Sequence, residues 1–444
     1  MVKVFLIKTL IGEKLMKYVI LGLFILTYVM IVAMPNRKPL VTGLSALTMS
    51  ILMIASSKMK FFEPLLGIKL DVVFMLAGIM LTVGVFSQSN MPNKLADKLI
   101  SKIPNALFAC VILSVLSGVI SAFVDNVATV LMLAPIGIAV AKKTGCSPVM
   151  LLISIAVSSN LQGAATLVGD TTSIMLADAL NMNFFDFFVF NGKFSIFWAV
   201  ELGMVATIPV LIFIFRKDNK KLEYISEDIK VTSIVPSILL LLNMGALVVN
   251  SFLSFDILIN GKSVTNGIIC LFFGVVSVAY YVLSKKNTLK DCVKEAFDYE
   301  TILFLTFLFI IIGIVDAIGI IKDLSNVFAS IGANNMFLLY VVIVLGSVIL
   351  SAFIDNIPYV ATMLPVIAGL GFADPTVLYF GLLIGATLGG NITPVGAAAN
   401  VVAIGILRKE GHTVNNSDFF KIGIPFTLVA VLTGAIYTWL VFGI

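Results

Sequence analysis

The sequence predicts an all-α polytopic membrane protein built from two inverted five-span repeats, each with a re-entrant hairpin and a discontinuous helix. Three observations lead there. First, 60% of the 444 residues are hydrophobic and only 12% are charged, with mean hydropathy +1.11. A soluble domain is nearer half apolar and a quarter charged, so lipid must solvate the excess. Second, unbroken apolar runs such as residues 18–34 lack the alternation of a lipid-facing barrel, which leaves helices. Third, SAFVDNVATVLMLAP (121–135) returns 230 positions later as SAFIDNIPYVATMLP (351–365), with seven identities in 15 positions. Unrelated stretches of average composition share about one.

The elements follow in order. Residues 1–17 are basic and mixed, and read as an interfacial lead-in. No small-residue cleavage site follows the first apolar run, so no cleavable signal peptide is expected. The first repeat, 18–216, holds apolar segments 18–34, 40–56, 71–87 and 194–216. Segments of about 17–23 residues match a hydrocarbon core of ~30 Å at ~1.5 Å per residue. Between 105 and 181 the apolar pattern is interrupted by polar and glycine-rich patches. A charged linker, 217–231, separates this unit from the second repeat, 232–444. There the segments are 233–250, 266–284, 300–321 and 422–443, with an interrupted stretch at 335–407. Asn105 and Asn335 fall in register at the shift of 230, and Gly84 and Gly313 at 229. A duplicated unit of this kind is a mark of secondary transporters.

Each half counts as three full spans, a hairpin, a broken span and a last span. Five crossings is an odd number, so the second half is inverted. With the N-terminus outside, 19 of the 29 Lys and Arg residues fall on the cytoplasmic side; with it inside, 10 do. Positive-inside bias therefore predicts N-out, C-out and a cytoplasmic linker, in the cell (inner) membrane.

A net charge of +5 carried in short loops does not call for nucleic acid. Cys110, Cys146, Cys270 and Cys292 form no C-x-x-C pair and read as isolated apolar-environment thiols. The single histidine, His412, falls in a polar loop stretch. No nucleotide-binding motif is present, so ATP is not the expected energy source.

The chemistry concentrates in two constellations. Asp125–Asn126 and Asp355–Asn356 sit inside apolar stretches, where a carboxylate is costly and usually faces a cavity. The segment 105–142 is long enough for two short legs, with the Asp–Asn pair at the tip. One reading is that these residues only cap the leg that follows. The other is that both tips meet near the midplane and offer carboxylate, amide and carbonyl oxygens to Na⁺ or a proton. The second constellation follows each hairpin, in SSNLQGAATLVGDTTS (158–173) and GGNITPVGAAAN (389–400). Both run Asn, then Thr, any residue, Val, Gly. Such segments break helices and expose carbonyls; they also serve close helix packing. Asn160 and Asn391 are hard to explain by packing alone. Among other acids, Asp71 and Glu300 start matching spans and read as interfacial, while Glu201 and Asp316 are candidate path residues.

These motifs resemble the ArsB/NhaD group of the ion transporter superfamily, and within it the branch that includes the melanosomal P protein. The resemblance covers residues 40 to 443. It implies a homodimer with a scaffold part and a transport part, moving by elevator-like alternating access. It also implies that Asp125, Asn126, Asn160, Thr166, Gly169, Asp355, Asn356, Asn391, Thr393, Gly396 and Asn400 surround the site. Gly169-Asp170-Thr171-Thr172-Ser173 departs from the Gly-Asp-Pro-Pro-Asn frequent in the family. The expected function is exchange of Na⁺ or a small oxyanion-type solute, arsenite-like, against protons. The alternatives are a Na⁺-coupled di- or tricarboxylate symporter and, remotely, an intramembrane aspartyl protease.

Overall fold

A computed structural model describes residues 2–221, 229–253, 256–285, 297–332 and 335–444. Cys292 and residues 222–228 of the predicted linker lie outside the described residues. Helices dominate. In the first half they are α1 (Val2–Ala33), α2 (Lys38–Ala55), α3 (Leu70–Gln88), α4 (Met91–Ile100), α5 (Ala106–Ser121), α6 (Asn126–Thr144), α7 (Pro148–Gly163), α8 (Thr171–Leu180) and α9 (Ile196–Phe215). The second half repeats the series as α10 (Val235–Leu253), α11 (Thr265–Lys285), α12 (Tyr299–Ala317), α13 (Ile320–Gly332), α14 (Met336–Ser351), α15 (Asn356–Ala368), α16 (Thr376–Gly389), α17 (Ala398–Lys409) and α18 (Asn416–Phe442). Two short antiparallel β-ribbons, 189–194 and 258–263, sit in connections.

Nine described helices are long and apolar enough to cross a membrane. Eight are α1–α3, α9–α12 and α18; the ninth, α6, is the returning leg of the first hairpin. The lead-in is continuous with the first span, since α1 begins at Val2. The sequence reading assigned no element to α4 or α13, which are short amphipathic helices. In α4, Pro92, Ala96 and Ile100 are buried while Lys94 and Lys98 are not.

Local chemistry explains the hairpins. Asn105 caps α5 by accepting from the Leu107 and Phe108 amides, and its repeat partner Asn335 caps α14 from the Leu338 amide. Each of these legs has 16 residues, about 24 Å of helix, too short to span. The chain then turns at Asp125 or Asp355 and runs back through a helix carrying a matched proline, Pro135 or Pro365. Cys110 Sγ lies 3.4 Å from Cys146 Sγ, which joins the open ends of the two legs. This corrects the reading of isolated thiols: these two are neighbours, brought together by the hairpin.

The halves are interlocked reciprocally. The third span of each packs on the second span of the other, α3 on α11 and α12 on α2. At the first crossing a Cβ on Gly78 would lie 2.1 Å from the Cys270 carbonyl carbon, and one on Gly274 would lie 2.8 Å from the Gly78 oxygen. The backbones touch, as small residues permit in membrane helices. Likewise α8 packs on α15, and α17 on α6. Each broken helix therefore leans on the other half's hairpin, and the four segments meet at the centre.

Candidate functional site

Each tip is fixed by its own aspartate. Asp125 Oδ1 accepts from the Val127 and Ala128 amides at 2.9 and 3.2 Å, and Asp355 Oδ1 from the Ile357 amide at 3.1 Å. The capping role is real and uses one carboxylate oxygen. On Asp355 the other oxygen meets the ammonium of Lys38, at the start of α2. Among the described residues no Lys or Arg pairs with Asp125.

The breaks are pinned to the tips identically in both halves. Thr166 Oγ1 donates to the Ala122 carbonyl, and Thr393 Oγ1 to the Ala352 carbonyl at 2.5 Å in the second half. A Cβ on Gly169 would lie 2.7 Å from the Gly163 oxygen and 3.0 Å from that of Ser121; one on Gly396 would lie 2.6 Å from the Gly390 oxygen and 3.0 Å from that of Ala352. Only glycine lets backbone and tip approach this closely. Thr166/Thr393, Gly163/Gly390 and Gly169/Gly396 all match at a shift of 227.

That register corrects one pairing. Asn160 and Asn391, read as equivalents, differ by 231 positions and are not counterparts. Asn160 lies in the last turn of α7, whereas Asn391 lies in the break after α16. They touch instead. Asn160 Nδ2 donates to Asn391 Oδ1 at 2.7 Å and to Asn400 Oδ1 at 3.0 Å, and its Oδ1 accepts from Asn126 Nδ2 at 3.3 Å. Asn391 donates on to the Val157 carbonyl, and Asn400 to those of Gly390 and Thr393. Ser121 donates to Asn126 Oδ1 at 2.8 Å. One buried amide network thus sews the halves together. Ser173 matches Asn400 in register and bonds the equivalent carbonyl, that of Gly163, at 3.1 Å. The Ser173 departure therefore keeps the contact.

Asp170 is the functional candidate that the sequence reading left out of the site. It is buried and caps α8 through the Thr171 amide at 2.7 Å. Its Oδ2 accepts from Thr172 Oγ1 at 3.0 Å and from Asn356 Nδ2 at 3.2 Å. Both tip carboxylates lie within electrostatic reach of it. Its counterpart is Ala397, so a search for matched residues passes over it. The signal present was a carboxylate inside a small-residue helix break.

Of the eleven predicted residues, nine join these contacts directly and the glycines 169 and 396 make room for them. Among the described residues no three acids, thiols or imidazoles converge to hold a metal ion. The available donors are amide, carbonyl and hydroxyl oxygens, a hard set.

A cavity of about 620 Å³ lies beyond the tips, between α3, α8, α12 and α15. Its walls include Met175 and Ala361, four and five residues along α8 and α15 from their first residues. Charged groups also line it: the Lys69–Asp178 pair at 2.8 Å, Glu63, Lys262 and Asp316. Of the two candidate path residues, Asp316 lines this cavity and Glu201 on α9 is not among its lining residues. Asp71 accepts from the Gly267 amide at 2.7 Å, which ties α3 to the first turn of α11. Glu300 is exposed at the start of α12, and His412 follows a turn at Gly411.

Two hairpin tips meeting two broken helices inside an inverted-repeat bundle define a polytopic membrane transporter. The family model described as citrate transporter (CitMHS) matches residues 28–385, and the chain belongs to that family. An uncharacterized transporter of Mycobacterium tuberculosis is 30% identical over 433 residues, covering 96% of this chain and 98% of its own. The P protein of Sus scrofa is 24% identical over 448 residues, 83% of this chain but 53% of its own length. Among solved structures, the Alcanivorax borkumensis YdaH transporter aligns with TM-score 0.56 at 16% identity, over 84% of this chain and 85% of that one. The Neisseria gonorrhoeae MtrF structure aligns with TM-score 0.52 at 14% identity, over 88% and 84%. The last two attest the fold alone. The protein is a multi-pass protein of the cell membrane.

Proposed function

We propose that this transporter exchanges Na⁺ or a small oxyanion-type solute against protons by elevator-like alternating access, in a homodimer. The observation that carries the reading is the charge at the centre. Asp125, Asp170 and Asp355 cap three of the four helices that start at the site. Fixed carboxylates there favour a cation and disfavour a free anion. An ionised Asp125 binds cation and a protonated one releases it, so competition between Na⁺ and H⁺ follows from one group.

A second reading, sodium-coupled uptake of a citrate-like carboxylate, draws on the family description and on the fourth helix start. Ala397, at the N-cap of α17, makes no side-chain cap bond, and open helix N-termini favour anions. In that case the aspartates hold the coupling cation.

The test uses proteoliposomes with a trapped pH dye, a clamped potential and Na⁺ added outside. Exchange is read as a rise in internal pH that Asp125→Asn abolishes. A flat trace with intact protein would remove the exchange reading, and sodium-driven citrate uptake would then be assayed on the same vesicles.

A further inference from the structure

The two tips are nearly identical in sequence and unlike in charge. Asp355 has its free oxygen filled by the Lys38 ammonium; Asp125 has no such partner among the described residues. The difference is written into the scaffold. Lys38 stands beside Phe304 on α12, with its ammonium 5.8 Å from the ring centroid. In the other half, Gly267 stands beside Phe74 on α3, where a Cβ would lie 2.7 Å from that of Phe74. Gly267 follows Lys38 by 229 positions, the same offset that relates the first residues of α3 and α12. The register position that carries Lys38 in the first half carries Gly267 in the second.

Lys38 belongs to α2, while Asp355 caps α15 on the hairpin. A second bond ties the same two parts: Tyr28 Oη on α1 donates to the Pro358 carbonyl at 2.6 Å and touches Thr362. Any sliding of the hairpin past α1 and α2 must break both. The Lys38 side chain keeps 25% of its surface exposed, so its flexible stem has an exit. An ammonium on such a stem is a point charge that a compact cation can replace.

We propose that the Lys38 ammonium is a built-in cation that holds the second tip to α2 until a cargo cation takes its place on Asp355. Cation binding at this tip is then what frees the hairpin to move. The inference rests on the cation-exchange reading above and adds a residue and a sequence of events to it.

Amine labelling of purified wild-type protein, read by peptide mass spectrometry, tests this directly. At constant pH and ionic strength, Na⁺ replaces choline. Lys38 labelling should rise several-fold with Na⁺, while exposed Lys142, whose side chain is 64% accessible, stays constant. In Asp355→Asn, Lys38 should label fast with or without Na⁺. In Lys38→Met, the Na⁺ concentration for half-maximal exchange should fall about tenfold, the scale of losing a competing half-buried ion pair. Wild type that exchanges Na⁺ yet labels Lys38 equally in both salts overturns the latch and leaves the exchange function standing. Wild type that neither exchanges nor responds to Na⁺ overturns both.

Discussion

Asp170 caps α8 with one carboxylate oxygen and receives the Asn356 amide on the other. Asn at an N-cap accepts the same backbone bond as Asp. Asp170→Asn should therefore fold and melt near wild type while exchange falls about tenfold or more, one lost charge contact at ~1.4 kcal/mol. Unchanged exchange in that variant would exclude Asp170 from the path. Glycine positions give a complementary prediction. Gly396→Ala sets a methyl 2.6 Å from the Gly390 oxygen, where only backbone can yield. Overpacking of this kind costs about 1–3 kcal/mol, so both melting temperature and uptake should drop. Gly245→Ala, with nothing within 4 Å, is the control and should be silent. At this scale much of the candidate site is legible in the sequence. Asp125, Asn126, Asp355 and Asn356 stand out because polar residues in an apolar frame need a reason. Asp170 and Lys38 escaped because they have no polar counterpart in the other repeat, and because their partners are 186 and 317 residues away in the chain.

Among the elements, the crossing of α3 and α11 bears the tightest backbone contact. Gly78→Leu has no space at all there, since even a Cβ meets the Cys270 carbonyl carbon at 2.1 Å. The expected result is loss of the monodisperse peak in fluorescence size-exclusion, whereas Gly22→Leu, with open space, keeps it. The long spans were legible from hydropathy, and the hairpins from a stretch too long for one crossing and too polar at its middle. The short helices α4 and α13 were not assigned, because ten to thirteen residues with lysines or aspartate on one side fall below the length of a span. Within the breaks Thr-x-Val-Gly matches in the right register, but Asn160 and Asn391 stand four positions out of it.

For the molecule as a whole, a count of ten crossings predicts both termini on one face and the linker on the other. Single-cysteine labelling from outside intact cells should reach residues 2–12 and 443–444 and spare 217–231. Labelling of the linker alone would reverse the proposed orientation. By itself the sequence determined the solvent, the helical class, the duplication and its inversion. Those follow from composition and from counting crossings, which are properties of the chain in order. Only the tertiary structure decided that Asn160 meets Asn391 and Asn400, that Asp170 meets Asn356, and that Lys38 neutralises one tip and not the other. These contacts join residues hundreds of positions apart across a pseudo-two-fold arrangement. A repeat fixes which positions correspond; only packing decides which of them touch, and there the two halves part.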